Sequence, residues 1–188
     1  MKVIIDTSSL LSLVRYYLPF DQKTKLFDFI KTEIENGNLI LIDAVYQECE
    51  YTTQGLVLKS LDYLKDKDFK KDFKVPLKTK DLLPPSTKKF YNLLNDNFRT
   101  PLSRRLNDAE FEERKKEFLE TADARMIILA LIKKSEKQEI AIVTEESENG
   151  NDHKAFKKIP SICKMLDIKV MTLPDLLKIY QGIDIEFK

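Results

Sequence analysis

Apolar positions in this chain fall into two kinds of pattern. Short unbroken runs occur at Val3 to Ile5, in "NLILID", in "EIAIVTEE" and in "IKVMTL", and each is rich in β-branched residues. A run of this kind reads as a strand buried on both faces, as in a parallel sheet. Between the runs the spacing turns helical. "SSLLSLVRYYL" and "DQKTKLFDFIKTEIENG" predict two helices before the second strand, the latter with Leu26, Phe27, Phe29, Ile30 and Ile34 on one side and a stop at Gly37. "AVYQECEY" starts another helix. "TADARMIILALIKK" is apolar on nearly all sides and predicts a helix inside the core. "PDLLKIY" gives a last helix, with Pro at a permitted early position. The alternation of strand and helix predicts an α/β fold with a mostly parallel sheet covered by helices on both faces.

From Leu56 to about Leu119 the pattern is mostly helical and highly charged, broken by "FKVPLK" and by Pro84 and Pro85. This stretch reads as an insert at about 56–119 within one domain spanning 1–188. The lysine-rich "KDKDFKKDFK" at 65–74 reads as a solvated face rather than a binding tract. The 188 residues suffice for one well-buried core, and the formal charge of +1 gives no hint of a nucleic-acid partner unless charges are locally clustered. Cys49 and Cys163 lie far apart without metal-ligand spacing and read as reduced, buried thiols. No apolar run approaches the ~20 residues needed to cross a bilayer, and no charged leader precedes the first strand, so a soluble cytoplasmic protein is expected.

Acids stand where the apolar runs stop. Asp6 directly follows the first strand, at the end that borders the ligand crevice in open α/β sheets, although Asp is also a common helix cap. Glu48 lies in the helix after the second strand, with Glu50 equally available. Asp123 opens the apolar helix, where it can serve as a dipole partner or be buried and in need of a counter-charge. Glu146 follows the third strand in a loop crowded by Glu145, Glu148 and Asp152, any of which can turn inward. If the strands are parallel neighbours, four acids converge on one crevice and repel unless a cation neutralises them. Hard oxygen donors without His or Cys favour Mg²⁺ or Mn²⁺, with chemistry suited to phosphodiester cleavage.

Basic residues are the second requirement of such a site. "FRTPLSRRL" offers Arg99, Arg104 and Arg105 beside a helix that Thr100 and Pro101 can start, as a phosphate clamp or as ordinary surface ion pairs. "HKAFKK" at 153–158 is a second basic option, and His153 has no context for a hydrolytic triad. Tyr16 and Tyr17 read as core and rim packing. The four glycines are dispersed, with no Gly-Lys-Ser/Thr loop, which argues against a nucleotide-binding fold. Ser8 stands where a haloacid-dehalogenase-type phosphatase needs a second Asp, and the acid pairs of a receiver domain are missing as well.

Taken in order, "VIIDTSSLL", "VYQECE", "TADARMIILAL" and "IVTEE" resemble the four acidic elements of the PIN domain family, spanning most of the chain. The helical insert and the tail "IPSICKMLDIKVMTLPDLL" are similar to an extended bacterial and archaeal form often encoded beside toxin-antitoxin or DNA-processing partners. The resemblance implies a three-layer PIN-like fold and a Mg²⁺- or Mn²⁺-dependent ribonuclease acting on RNA. It further implies the toxin half of a toxin-antitoxin pair, with an antitoxin protein as partner, and dimerisation. Asp6, Glu48, Asp123 and Glu146 would form the acidic cluster, Ser8 would hold a water or a carboxylate, and Thr144 would orient the fourth-acid loop. Two departures stand out: Glu146 occupies a position commonly Asp in the family, and the insert lies outside the minimal pattern.

Overall fold

Each of the four predicted apolar runs forms a strand, and the strands join one sheet. The computed structural model describes residues 1–21, 23–148 and 154–179. Strand β1 (Lys2–Ile5) pairs in parallel with β2 (Leu39–Ile40) on one side and with β3 (Ile140–Val143) on the other, and β4 (Lys169–Met171) extends the sheet beyond β3. The order is β2-β1-β3-β4. Val3 to Ile5 and Ala141 to Val143 are fully buried, so helices cover both faces of the central pair, as the unbroken apolar runs require. Parallel neighbours need long crossovers, and every connection carries helix. The result is a three-layer α/β architecture.

Helix α1 (Thr7–Ser12) continues into a π-turn at Leu13–Tyr17, and α2 (Lys25–Glu35) then buries Leu26, Ile30 and Ile34. The chain leaves α2 through Gly37 at φ +66, a backbone conformation that a side chain disfavours. Helix α3 (Asp43–Tyr51) follows β2. The insert contributes α4 (Leu56–Ser60), α5 (Lys67–Phe73), α6 (Thr87–Asp96) and α7 (Asp108–Glu120). Helix α8 (Ala122–Ser135) buries Ala122, Ala124 and Met126 to Ala130, as its apolar circumference predicts. Helix α9 (Ile159–Leu166) bridges β3 and β4, and α10 (Leu173–Ile179) closes the described chain.

The insert is joined to the sheet by a seam of backbone and aromatic contacts. Arg99 and Phe156 form an antiparallel bridge, with Thr100 N–H donating to the Ala155 carbonyl at 3.0 Å and Lys157 N–H to that of Phe98 at 2.8 Å. Phe156 packs on Phe111 and Phe118 at ring separations of 5.8 and 4.6 Å. Buried residues of the insert and of the sheet belong to one hydrophobic cluster. Around "FKVPLK" the chain leaves helix, and Leu77 forms a parallel bridge to Ile42 at the sheet's edge.

Two local readings, the helix start and Tyr16, need adjustment, while that of the 65–74 stretch as a solvated face agrees with the structure. The helix expected to start at Thr100 and Pro101 begins instead at Asp108, because Asn107 and Glu110 form a reciprocal capping box while the Thr100 hydroxyl is committed to the Lys154 carbonyl at 2.8 Å. Tyr16 is 65 % exposed, whereas Tyr17 packs partly against the core. The lysine-rich 65–74 stretch includes α5, which buries Phe69 and leaves most of its charges in solvent. Cys49 and Cys163 are free and buried, and burial pushes both thiols up to about 12. No helix among the described residues is long and apolar enough to cross a membrane.

Candidate acidic site at the sheet's switch point

The strand order reverses direction at β1: the chain leaves it toward β2 on one side and later returns to β3 on the other. In open α/β sheets the crevice at the strands' carboxyl ends opens at such a point. Asp6 follows β1 there, and Thr144 follows β3. Asp6 is 6 % exposed, and both its oxygens are held. Thr7 N–H donates to Oδ1 at 2.7 Å, while the Ser8 and Thr144 hydroxyls donate to Oδ2 at 2.5 and 2.8 Å. Those two hydroxyls in turn accept the backbone N–H groups of Glu145 (3.0 Å) and Glu146 (3.2 Å). The acidic loop after β3 is thereby fastened to the first turn of α1. Three donors leave the Asp6 carboxylate with about one of its roughly four acceptor sites.

Glu48 reaches the same place from α3, where the Thr7 hydroxyl donates to its Oε2 at 2.5 Å. Glu48 has an exposed face, yet its carboxyl is partly buried and displaced upward, first by desolvation, against the Thr7 hydrogen bond, and then by repulsion from Asp6. Glu50, the alternative, is exposed. Asp123 stands in the first turn of α8, whose N-cap is Thr121. Its carboxyl is pushed up to about 7, mostly by burial, then by the charges of Glu146 and Asp6, with Lys154 opposing and Glu48 adding. Asp123 therefore lies in the fields of the other three acids expected from the sequence, Glu48 lies in that of Asp6, and Lys154 acts on both Glu48 and Asp123.

The crowded loop divides its acids. Glu145 turns back onto the scaffold, where its Oε1 accepts the N–H of Leu173 at the start of α10 (2.8 Å) and the buried hydroxyl of Ser9 (3.2 Å). Glu148 pairs with Lys164 at 3.2 Å. Glu146 repels Asp123, and its Oε2 accepts the Ile159 N–H at the start of α9 at 3.3 Å. Asp152 and His153 lie outside the described residues.

The expected arginine clamp divides too. The Arg99 guanidinium lies 3.9 Å from the centre of the Phe111 ring and donates to the Ser103 carbonyl and hydroxyl, so it braces the turn in which it sits. Arg104 and Arg105 are exposed on a single 3₁₀ turn, Ser103–Arg105. Lys154 was legible only as one member of "HKAFKK". Its closeness to the acids follows from Thr100, whose hydroxyl holds the Lys154 carbonyl, a contact 54 residues distant in sequence. Next to Asp123 opens a groove of about 420 Å³, lined also by Leu102, Leu106, Phe118, Lys154 and Lys157.

Whether the site fits a divalent ion is decided by its donors and its charge. Every acidic donor is a hard oxygen, and among the described residues Lys154 is the cation acting on both Glu48 and Asp123. Among the described residues, however, no three Asp, Glu, His or Cys side chains stand together as a ready-made cage. Asp6, Glu48 and Glu146 are oriented by protein donors instead. The donor type suits a hard ion such as Mg²⁺, which keeps several waters and takes one or two carboxylates, while the described residues form no preassembled ligand set.

A family model described as a domain of unknown function (DUF4411) matches residues 88–182, just over half of the 188 residues. The match contains Asp123, Glu146 and the groove, while Asp6 and Glu48 lie N-terminal to it. No curated protein and no solved structure matches the chain.

Proposed function

The chain belongs to the DUF4411 family of domains of unknown function, and for it we propose a PIN-like, Mg²⁺- or Mn²⁺-dependent endoribonuclease that hydrolyses RNA phosphodiester bonds in the cytoplasm. The observation that carries this reading is the geometry at the switch point, where the Ser8 and Thr144 hydroxyls hold Asp6 and the Thr7 hydroxyl holds Glu48, with Asp123 in the fields of Glu146, Asp6 and Glu48. Such crowding opposes folding unless a cation is bound, and perturbed acids in a crevice are a feature of functional sites.

Asp6, Glu48, Asp123 and Glu146 are the residues that would hold the ion. When bound, it supplies a polarised water and offsets charge on the phosphoryl oxygens. The chain's own residues do the positioning. Ser8 and Thr144 lock the Asp6 carboxylate and fasten the Glu146 loop to it. Thr7 orients Glu48. Lys154, exposed beside the acids, attracts the substrate's phosphates. A free hydrolase of this kind endangers its own cell, which agrees with a toxin restrained by an antitoxin protein; a homodimer is part of the same proposal.

Purified full-length protein with Mn²⁺ is expected to cut RNA, and Asp6→Asn to lower the rate at least about a hundredfold, the scale of removing one preorganised electrostatic element. Both proteins should give the same far-ultraviolet circular dichroism spectrum, which shows that the fold survives the substitution. Equal cutting by the two preparations would expose a contaminating nuclease and sink the reading. One observation favours a second function, a catalytically silent module that binds RNA or a protein: the acids already have protein donors and form no ready cage. Titration calorimetry separates the two, because the silent module takes up neither Mg²⁺ nor Mn²⁺.

A further inference from the structure

At the far end of α8 from Asp123 lies a second groove, of about 500 Å³, that no acid of the switch-point site lines. It opens where α6 of the insert meets the last turns of α8 and α9. Phe90 and Leu93 of α6, Leu131 of α8 and Met165 and Leu166 of α9 give it an apolar wall. Phe90 is buried at its floor, and Met165, 39 % exposed, stands at its edge. At about 1.5 Å of rise per residue, roughly 16 Å of helix separates Lys134 at this end of α8 from Asp123 at the other.

Two ammonium groups border the groove, and they face different things. Lys134 is taken up by the carboxyl end of α9, where its Nζ donates to the Leu166 carbonyl at 3.2 Å and to the Asp167 carboxylate at 2.7 Å. That bond holds the Asp167 carboxyl below its ordinary range and offsets the one acidic charge on the groove's rim. Lys89 has no acidic partner among the described residues, and the first turn of α6 in which it stands contains no acid. A simple inorganic anion would meet Lys89 and gain nothing from the apolar wall, while a hydrocarbon would cover the wall and leave the ammonium without water or partner. We infer that the groove binds a small amphipathic organic anion, its apolar body against Phe90, Leu93, Leu131 and Met165 and its negative head on Lys89. The volume falls in the range of pockets that enclose one small organic molecule. Such a ligand would bind whether or not the chain cuts RNA.

Titration calorimetry of the full-length protein tests this with octanoate and 2-naphthoate, an aliphatic and an aromatic carrier of the same chemistry, each beside its uncharged alcohol. At least one acid should bind, and at least about fivefold more tightly than 1-octanol or 2-naphthalenemethanol respectively, the scale of one partly exposed ion pair. Octanoate alone would assign the groove to acyl chains, and 2-naphthoate alone to aromatic acids. Lys89→Ala should bring acid and alcohol to equal affinity. Met165→Glu, which sets a carboxylate at the groove's edge, should weaken the acid at least about tenfold. Lys116→Ala, at an exposed position on α7 outside the groove, serves as the control and should bind like the wild type. Circular dichroism spectra equal to wild type show that the variants are folded. Binding of neither acid, equal affinity of acid and alcohol for the wild type, or acid binding unchanged in Lys89→Ala or in Met165→Glu overturns the assignment.

Discussion

Asp6 and Asp43 begin with the same local grammar, an apolar run closed by an aspartate, and end in different employment. Asp43 binds Ala44 N–H at 3.0 Å and Thr79 N–H at 3.1 Å and also accepts the Thr79 hydroxyl, so it fastens the start of α3 to the segment around Leu77. Asp6 instead faces other carboxylates. The hydroxyls of "DTSS" against the "DAV" after Asp43 are the local difference, and the neighbours across the sheet complete it. Asp123 gives the residue-scale prediction. Its carboxyl has an ordinary value of 3.8 when unfolded and about 7 when folded. Between those values the folded form keeps a proton that the unfolded form has released, so stability falls as pH rises from about 4 to about 7 and is level above. In metal-free buffer the urea midpoint of the wild type should therefore drop across that window more than that of Asp123→Asn. Parallel profiles for the two proteins would show that this carboxyl is not strained. Lys154 and Arg99 show the limit of local reading. The first acquires its neighbourhood from Thr100 and the second is absorbed by Phe111, and both relations are set by tertiary packing.

Among the elements, those with strong periodicity were the legible ones. β-branched runs mark all four strands, and the apolar circumference of α8 marks its burial. The π-turn at Leu13–Tyr17 has no sequence signature, since five residues of helical pattern fit either winding. Thr100 and Pro101 suit a helix start and predict α7 too early, while the better signal, Asn107 followed three residues later by Glu110, lies further on. Asn107→Ala should cost about 1 kcal/mol in a urea titration, because it leaves the Glu110 N–H without its cap. An unchanged midpoint would mean that α7 draws its start from tertiary contacts alone.

For the whole molecule the question is whether the insert and the sheet fold together. Phe156 sits at their seam, 4 % exposed, packed at a tilt against two rings of α7 and bridged to Arg99. Truncation to alanine at a buried aromatic position costs about 3 to 5 kcal/mol. Phe156→Ala should lower the stability of the entire chain by that amount in one transition, followed both by far-ultraviolet circular dichroism and by hydrogen exchange in β1. Two separated transitions would mark the insert as an independent unit. The fold class was readable from alternation alone, whereas this seam was not, because it depends on residues about 55 positions apart.

The clasp of Ser8 and Thr144 on Asp6 has a temporal meaning. A ribosome that has released only the first hundred residues has made Asp6 and Glu48, yet neither the second hydroxyl of the clasp nor the acids at 123 and 146 exist. The incomplete polypeptide therefore carries only part of the acidic site, and the pocket closes only when the third strand pairs beside the first.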